Sequence, residues 1–187
     1  TQAIKISRAE KVVHTATGDY SYDNLVLATG SIPRQIPSSF DRTLDGVFTL
    51  RGFRDVDAMQ PYFSAGKRLL IVGGGYIGLE AAAVARKLGL EVTVLEQADR
   101  ILQRVASPQT ADFFRDLHTS HGVDIREGIG LQQLTGEGHV SGAIFSDGTK
   151  LEVDFAIVGI GITPSIDLAQ AAGLEIDNGI AVNELGR

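Results

Sequence analysis

The 187 residues contain no cysteine, no tryptophan, a single methionine and five prolines. Without cysteine these residues form no disulfide, no thiolate zinc site and no thiol nucleophile. No apolar run approaches the roughly 18 residues of a membrane-spanning helix. The longest candidate, RLLIVGGGYIGLEAAAVARKLG, is interrupted by glycines, Glu80, Arg86 and Lys87. No block of Lys and Arg is present, and 17 basic against 23 acidic residues leave a net charge of −6, which argues against nucleic acid as a partner. Neither a G-x-S-x-G nucleophile elbow nor a basic, apolar leader is found. The expectation is a protein with no membrane or nucleic-acid partner, and the cytoplasm as its compartment. TQAIKIS already reads as a strand, and GIAVNELGR carries no polar tail, so a piece of a longer protein is expected.

What is present is ordinary globular composition, 43% hydrophobic and 21% charged, in a length suited to one domain or a little more. Residues 3–7, 12–15 and 19–22 read as a meander of short strands separated by turns at RAEK and ATGD. Asn24–Ala28 is an almost continuous apolar run, as in a strand buried on both faces. Residues 31–48, with Pro33 and Pro37, read as a connector, and 55–63 as a short helix before Gly66. From Lys67 strands and helices alternate. Strands are expected at 68–72, 91–96, 123–126 and 155–158. A helix is expected over 76–88, burying Ile77, Ala81, Val84, Ala85 and Leu88. A second is expected from an N-cap at Ser107 with Pro108 following, up to Gly122. Residues 129–153 read as a second meander, and Thr163-Pro164 as the opening of a helix that ends at Gly173. The repetition of meander and buried strand over 3–28 and 131–158 suggests a weak internal duplication.

Gly73-Gly74-Gly75-Tyr76-Ile77-Gly78 is a G-x-G-x-x-G motif in full context. A strand ends at Gly73, a helix starts within the motif, and the next strand ends in an acid, Glu96, 18 residues beyond Gly78. Each part has a physical task in holding a dinucleotide. Gly73 permits the tight turn, Gly75 lets the backbone approach a pyrophosphate, and Gly78 allows the helix close to the strand. The helix N-terminus offers free N–H groups to phosphate, and Glu96 would accept from the adenosine ribose hydroxyls. A carboxylate there repels a 2′-phosphate, which favours NADH over NADPH. Arg100 and Arg104 either meet phosphate or pair with nearby acids. His118 and His121 are three apart on a helix, but no third ligand is placed to complete a metal site, so a solvated face is expected.

Three blocks in order, YDNLVLATGSIPR (22–34), RLLIVGGGYIGLEAAAVARKLGLEVTVLEQADRIL (68–102) and DFAIVGIGITPSIDLAQAAGLEIDNGIAVNE (154–184), resemble the FAD-dependent pyridine-nucleotide oxidoreductases. The likeness is nearest to the NADH-dependent ferredoxin reductases of monooxygenase and dioxygenase systems. The resemblance implies an α/β fold in which a Rossmann-like NAD-binding domain, a parallel sheet plus a β-meander, is inserted between pieces of a second, FAD-binding Rossmann-like domain. Residues 1–36 and 161–187 would be the FAD pieces and 45–160 the NAD domain. The family's first FAD motif, its late Gly-Asp motif and its C-terminal interface domain would lie outside these residues. The chain alone is therefore expected to bind NADH, to hold FAD weakly or not at all and to be inactive, with its flanking segments either poorly ordered or covered by a second copy.

The same resemblance assigns roles residue by residue. Thr29, Gly30 and Arg34 would lie beside FAD; for the first two the alternative is an ordinary strand-to-loop exit. Tyr76 and Ile77 would sit between nicotinamide and flavin, with Tyr76 as a movable cover; the alternative is core packing, which suits Ile77 better. Glu80 would face the nicotinamide, or simply favour a helix N-terminus. Gly159, Ile160 and Gly161 would let bare backbone approach NAD, or form a hinge between domains. No acid or base is required, since hydride passes from NADH to flavin and electrons then pass to a ferredoxin-type iron–sulfur protein. A thioredoxin-reductase type would carry Cys-x-x-Cys within 31–67, and none is there. An NADH oxidase or other disulfide-reductase relative, with its cysteine upstream of Thr1, stays open. So does a non-catalytic NAD-binding redox module.

Overall fold

A computed structural model describes residues 1–37 and 44–187. In chain order the elements are β1 (Ala3–Ser7), β2 (Val12–Thr15), β3 (Gly18–Ser21), β4 (Ser31–Pro33), β5 (Val47–Thr49), α1 (Phe53–Met59), β6 (Arg68–Val72), α2 (Tyr76–Lys87) and β7 (Glu91–Glu96). They continue with α3 (Pro108–Ser120), β8 (Val123–Glu127), β9 (Leu131–Glu137), β10 (His139–Phe145), β11 (Lys150–Glu152), β12 (Phe155–Val158), β13 (Ile162–Pro164) and α4 (Asp167–Ala171). The chain divides into two compact units, Thr1–Ile32 with Ile162–Arg187, and Pro33–Gly161.

The second unit is a parallel five-stranded sheet in the order β5-β12-β6-β7-β8. Because successive side chains of a strand point to opposite faces, each buried strand feeds two cores. Leu69, Ile71, Val92, Val94, Phe155 and Ile157 pack with Ala81, Ala82 and Ala85 of α2 and with Met59 of α1. Leu70, Val72, Leu95, Ala156 and Val158 pack with Leu134, Val140, Ala143 and Phe145 of the antiparallel sheet β11-β10-β9. Helices therefore cover one face of the parallel sheet and the meander covers the other. Asp154 fastens the amino-terminal ends of β6 and β12. Its carboxylate accepts from the Arg68 backbone N–H at 2.8 Å and from Arg68 Nε at 3.3 Å. Burial by itself raises the Asp154 pKa, but these bonds and the charges of Arg68 and Lys67 outweigh it and leave the group below its ordinary value.

α2 buries Ala81 and Ala85 as expected, but not Ile77, Val84 or Leu88. Gly78, Leu79, Ala81, Ala82 and Ala85 are covered, while Ile77, Val84 and Leu88 are 44%, 54% and 50% exposed. The small side chains bring the helix axis close to the sheet, and that approach rotates the larger apolar residues outward. The Ser107 cap holds as expected, its hydroxyl accepting from the Thr110 N–H at 3.3 Å with Pro108 beginning α3.

In the first unit β1, β2 and β3 form an antiparallel sheet. Asn24–Ala28 is not a strand, and Val26 is 85% exposed. An apolar run becomes a buried strand only when a ladder partner and a covering layer are supplied, and no strand of the described residues pairs with this one. Thr163-Pro164 does not open a helix either. Both residues lie in β13, which pairs with β4, and α4 begins only at Asp167. The expected connector over 31–48 contains β4 and the start of β5, and its residues 38–43 lie outside the described ones.

Candidate functional site

The carboxyl ends of β6, β7, β8 and β12 open together into one cleft of about 710 Å³ within the second unit. It is lined by Gly73, Gly74, Gly75 and Tyr76, by Leu95–Ala98, by Leu102–Val105, by Ile129–Leu131 and by Gly159, Ile160 and Gly161. Ligands of open α/β sheets sit at this end of the strands.

The glycine loop is shaped by its own sequence. Gly73 has φ +115°, and a Cβ there would collide with the backbone carbonyl of Gly159, just after β12. A Cβ at Gly78 would collide with the Gly73 carbonyl and crowd Ile71, so this glycine sets the approach of helix to strand. At Gly75 a Cβ would meet no protein atom within 4 Å. Gly75 is the N-cap of the 12-residue α2, and no side chain caps that terminus. A bare backbone facing open space above an uncapped helix N-terminus fits the pyrophosphate of a dinucleotide.

Glu96, the last residue of β7, is held by two backbone amides. Gly74 N–H donates to Oε2 and Ala98 N–H to Oε1, each at 2.8 Å. Every carboxylate oxygen keeps a free lone pair for a ribose hydroxyl. The two arginines nearby part company. Arg100 donates to the carbonyls of Ile101, Gln103 and Ala106, at 3.5, 3.3 and 3.0 Å; it closes its own loop and forms no ion pair with an acid among the described residues. Arg104 lines the cleft, is exposed, and has no ion-pair partner among the described residues.

The whole chain, residues 1–187, matches the family described as pyridine nucleotide-disulphide oxidoreductase. The chain belongs to that family. It is 42% identical to the putidaredoxin reductase of Pseudomonas putida, over 98% of this chain and 45% of that protein. It is likewise 42% identical to the 5,5′-dehydrodivanillate O-demethylase ferredoxin reductase subunit of Sphingobium sp. (strain NBRC 103272 / SYK-6), over 94% of this chain and 43% of that one. Among solved structures, the covalent putidaredoxin reductase–putidaredoxin complex matches with a TM-score of 0.91 at 39% identity, over 98% of this chain and 45% of that chain. The resemblance read from the three sequence blocks and the Rossmann-type α/β fold are borne out. The chain spans about half the length of the curated relatives it matches.

Within this chain the remaining candidate residues fall as follows. Tyr76 lines the cleft and is 56% exposed. Ile77 is not core, contrary to the alternative weighed for it. Glu80 is exposed and borders a second hollow of about 760 Å³, shared with Tyr76, Phe114, Leu117 and His118. Gly161 has φ +102°, and its carbonyl accepts from the Arg34 N–H at 2.9 Å. Thr29, in the first unit, donates through Oγ1 to the Ser165 carbonyl at 2.7 Å, and the Gly30 carbonyl accepts from Ser165 N–H at 3.0 Å. Burial and the charge of His121 lower the His118 pKa, and no cluster of three metal-ligating side chains occurs among the described residues. No helix of the described residues is long and apolar enough to cross a membrane.

Among the lining features that escaped the sequence are the Ala98 N–H, Leu102, Ile129 and Gly130. The carboxyl-end rule identifies Ile129 and Gly130, which follow β8; nothing in the sequence marks the other two.

Proposed function

We propose that the second unit is an NADH-binding domain, with bounds near 45–160, and that the intact protein is a flavoprotein reductase delivering electrons to a ferredoxin-type iron–sulfur protein. The observation that carries this is the single cleft in which the glycine loop of β6 and the amide-held Glu96 of β7 face the same space. In this reading the pyrophosphate lies over Gly75 and the N-terminus of α2. The adenosine ribose hydroxyls donate to Glu96, and Arg104 supplies a cation at the rim. Gly74 and the bare backbone of Gly159–Gly161 let the cofactor approach the sheet. Tyr76 and Ile77 cover the nicotinamide, with Glu80 beside it. Residues 1–36 and 161–187 belong to a FAD-binding domain, in which Thr29, Gly30 and Arg34 adjoin the flavin. FAD held there would supply hydride acceptance from the nicotinamide and one-electron transfer to the iron–sulfur partner. This chain's own share is positioning and electrostatics, with no side chain acting as acid or base.

The names of the relatives support the acceptor class, and the lone carboxylate at the end of β7 supports NADH over NADPH. The test is titration calorimetry of the chain with NADH and NADPH. Glu96→Ala is expected to weaken NADH by about 1.5–3 kcal/mol, the value of a hydrogen bond to a charged group, and to narrow the preference over NADPH. Equal affinity of the unaltered chain for both cofactors overturns the role given to Glu96.

A further inference from the structure

Glu127, the last residue of β8, does not line the cofactor cleft, yet it is joined to it. In the parallel ladder Glu127 is the register partner of Glu96. Two carboxylates thus stand side by side at the ends of neighbouring strands, and one loop, residues 97–106, serves both of them. Ala98 N–H goes to Glu96, and Ile101 N–H goes to Glu127 Oε1 at 2.7 Å. The other oxygen of Glu127 accepts from Arg115 Nε at 2.8 Å, which ties the site to α3. The Glu127 side chain is only 18% exposed. The loop between these anchors is under tension of a definite kind. Leu102 is buried at φ +54°, a left-handed conformation that disfavours a branched side chain. Its N–H donates to the Gly74 carbonyl at 2.9 Å, and Gly74 in turn donates its own N–H to Glu96. A continuous path therefore runs from Glu127 through Ile101, Leu102 and Gly74 to the carboxylate of Glu96, and the same loop carries Arg104.

We propose that Glu127 is a positioning residue for cofactor discrimination: by holding the Ile101 N–H it fixes the loop that orients Glu96 and presents Arg104. This rests on the reading of the cleft as an NADH site. Without the anchor, the buried Ile101 N–H must find another acceptor, and the strained turn at Leu102 relaxes. The Ala98 and Gly74 amides then no longer hold Glu96 against an incoming 2′-phosphate.

The probes are ADP-ribose and its 2′-phosphate, titrated against the full chain and two variants whose folding is followed by circular dichroism. The unaltered chain is expected to prefer ADP-ribose. Glu127→Gln puts an amide NH₂ group where an acceptor is needed, for the Ile101 N–H or for Arg115. Glu127→Asp keeps the charge but withdraws the carboxylate by one methylene. Both are expected to lower the preference about fivefold, the scale of one lost hydrogen bond. Loss confined to Glu127→Gln, with Glu127→Asp unchanged, makes the residue a field charge and overturns positioning. Equal weakening of both probes makes it a general support of the fold and also overturns the proposal. If Glu127→Gln fails to fold, Glu127→Asp decides alone. An unaltered chain that binds neither probe sinks the NADH reading itself, a result distinct from either failure above.

Discussion

In β9, β10 and β11 the side chains of Leu134, Val140, Ala143 and Phe145 are at most 2% exposed. In β1, β2 and β3, a sheet of the same three-stranded antiparallel topology, Ile6 alone is buried and all four residues of β3 are exposed. The sequence patterns are comparable, since each meander supplies alternating apolar residues. What differs is the layer each meets. The second lies on a five-stranded sheet whose facing residues complete a core. The first packs against the five-residue α4, held in part by Arg8 donating to the Gly173 carbonyl at 3.0 Å. Ladder hydrogen bonds alone leave a small sheet marginal; burial of one face makes it stable.

The sharpest way to break this comparison is to remove a large side chain from each meander. Phe145→Ala is expected to cost about 3–5 kcal/mol by urea unfolding. Tyr20→Ala, at a 56% exposed position, should stay within about 0.5 kcal/mol. Similar costs would mean that the first meander is packed as well as the second. Next come the two glycines of the binding loop. Gly78→Ala forces a methyl against the Gly73 carbonyl and should destabilise by about 1–3 kcal/mol. Gly75→Val should keep its circular dichroism spectrum while NADH binding disappears, and retained affinity in a folded variant would remove the glycine loop from the site.

A third contrast sets the Asp154 carboxylate against Asp19, whose Oδ1 lies 2.9 Å from His14 Nδ1 and whose side chain is 63% exposed. Asp154 has a folded-state pKa below its ordinary value. Its contribution is therefore present above the unfolded pKa of about 3.9 and is lost as pH falls through the folded one. Asp154→Ala should cost about 1–3 kcal/mol at neutral pH and flatten the acid side of the stability profile. Asp19→Ala should change stability by less than about 1 kcal/mol. The smallest effect expected on stability is at Val26. Val26→Ser should leave unfolding unchanged within about 0.5 kcal/mol, while reducing concentration-dependent association in sedimentation, because an exposed apolar run is a template for contact with another chain.

The parts legible in the sequence are those whose signal is local. Arg68–Val72, Glu91–Glu96 and Phe155–Val158 are apolar runs flanked by turn residues, and all three are strands at the expected positions. The same criterion applied to Asn24–Ala28 gave a strand that does not form, because a run of apolar residues reports a wish to be buried and not the presence of a cover. Periodicity placed α2 correctly and found Ala81 and Ala85, but set the buried face off-centre, since it weighs Ile77 and Leu88 above Gly78 and Ala82. In the site, the glycine loop and Glu96 were found together because strand, turn and helix follow one another directly. The closing of its own loop by Arg100, and the hold of Glu127 on the Ile101 N–H, were invisible. Glu127 and Ile101 lie 26 positions apart and meet only after β7 and β8 pair.

The order β5-β12-β6-β7-β8 has a consequence for how the protein is made. β12, between β5 and β6, is the last strand of its sheet to leave the ribosome, more than a hundred residues after Val47, which it pairs through Ala156. Until then β5 has no neighbour in the sheet, and one side of β6 stays an open edge. The sheet is sealed only when Phe155–Val158 slides between two strands already synthesised. Closure of so long a loop makes folding slow, and a nascent chain halted before Asp154 would expose the row of hydrogen-bonding groups that a growing polypeptide most needs shielded.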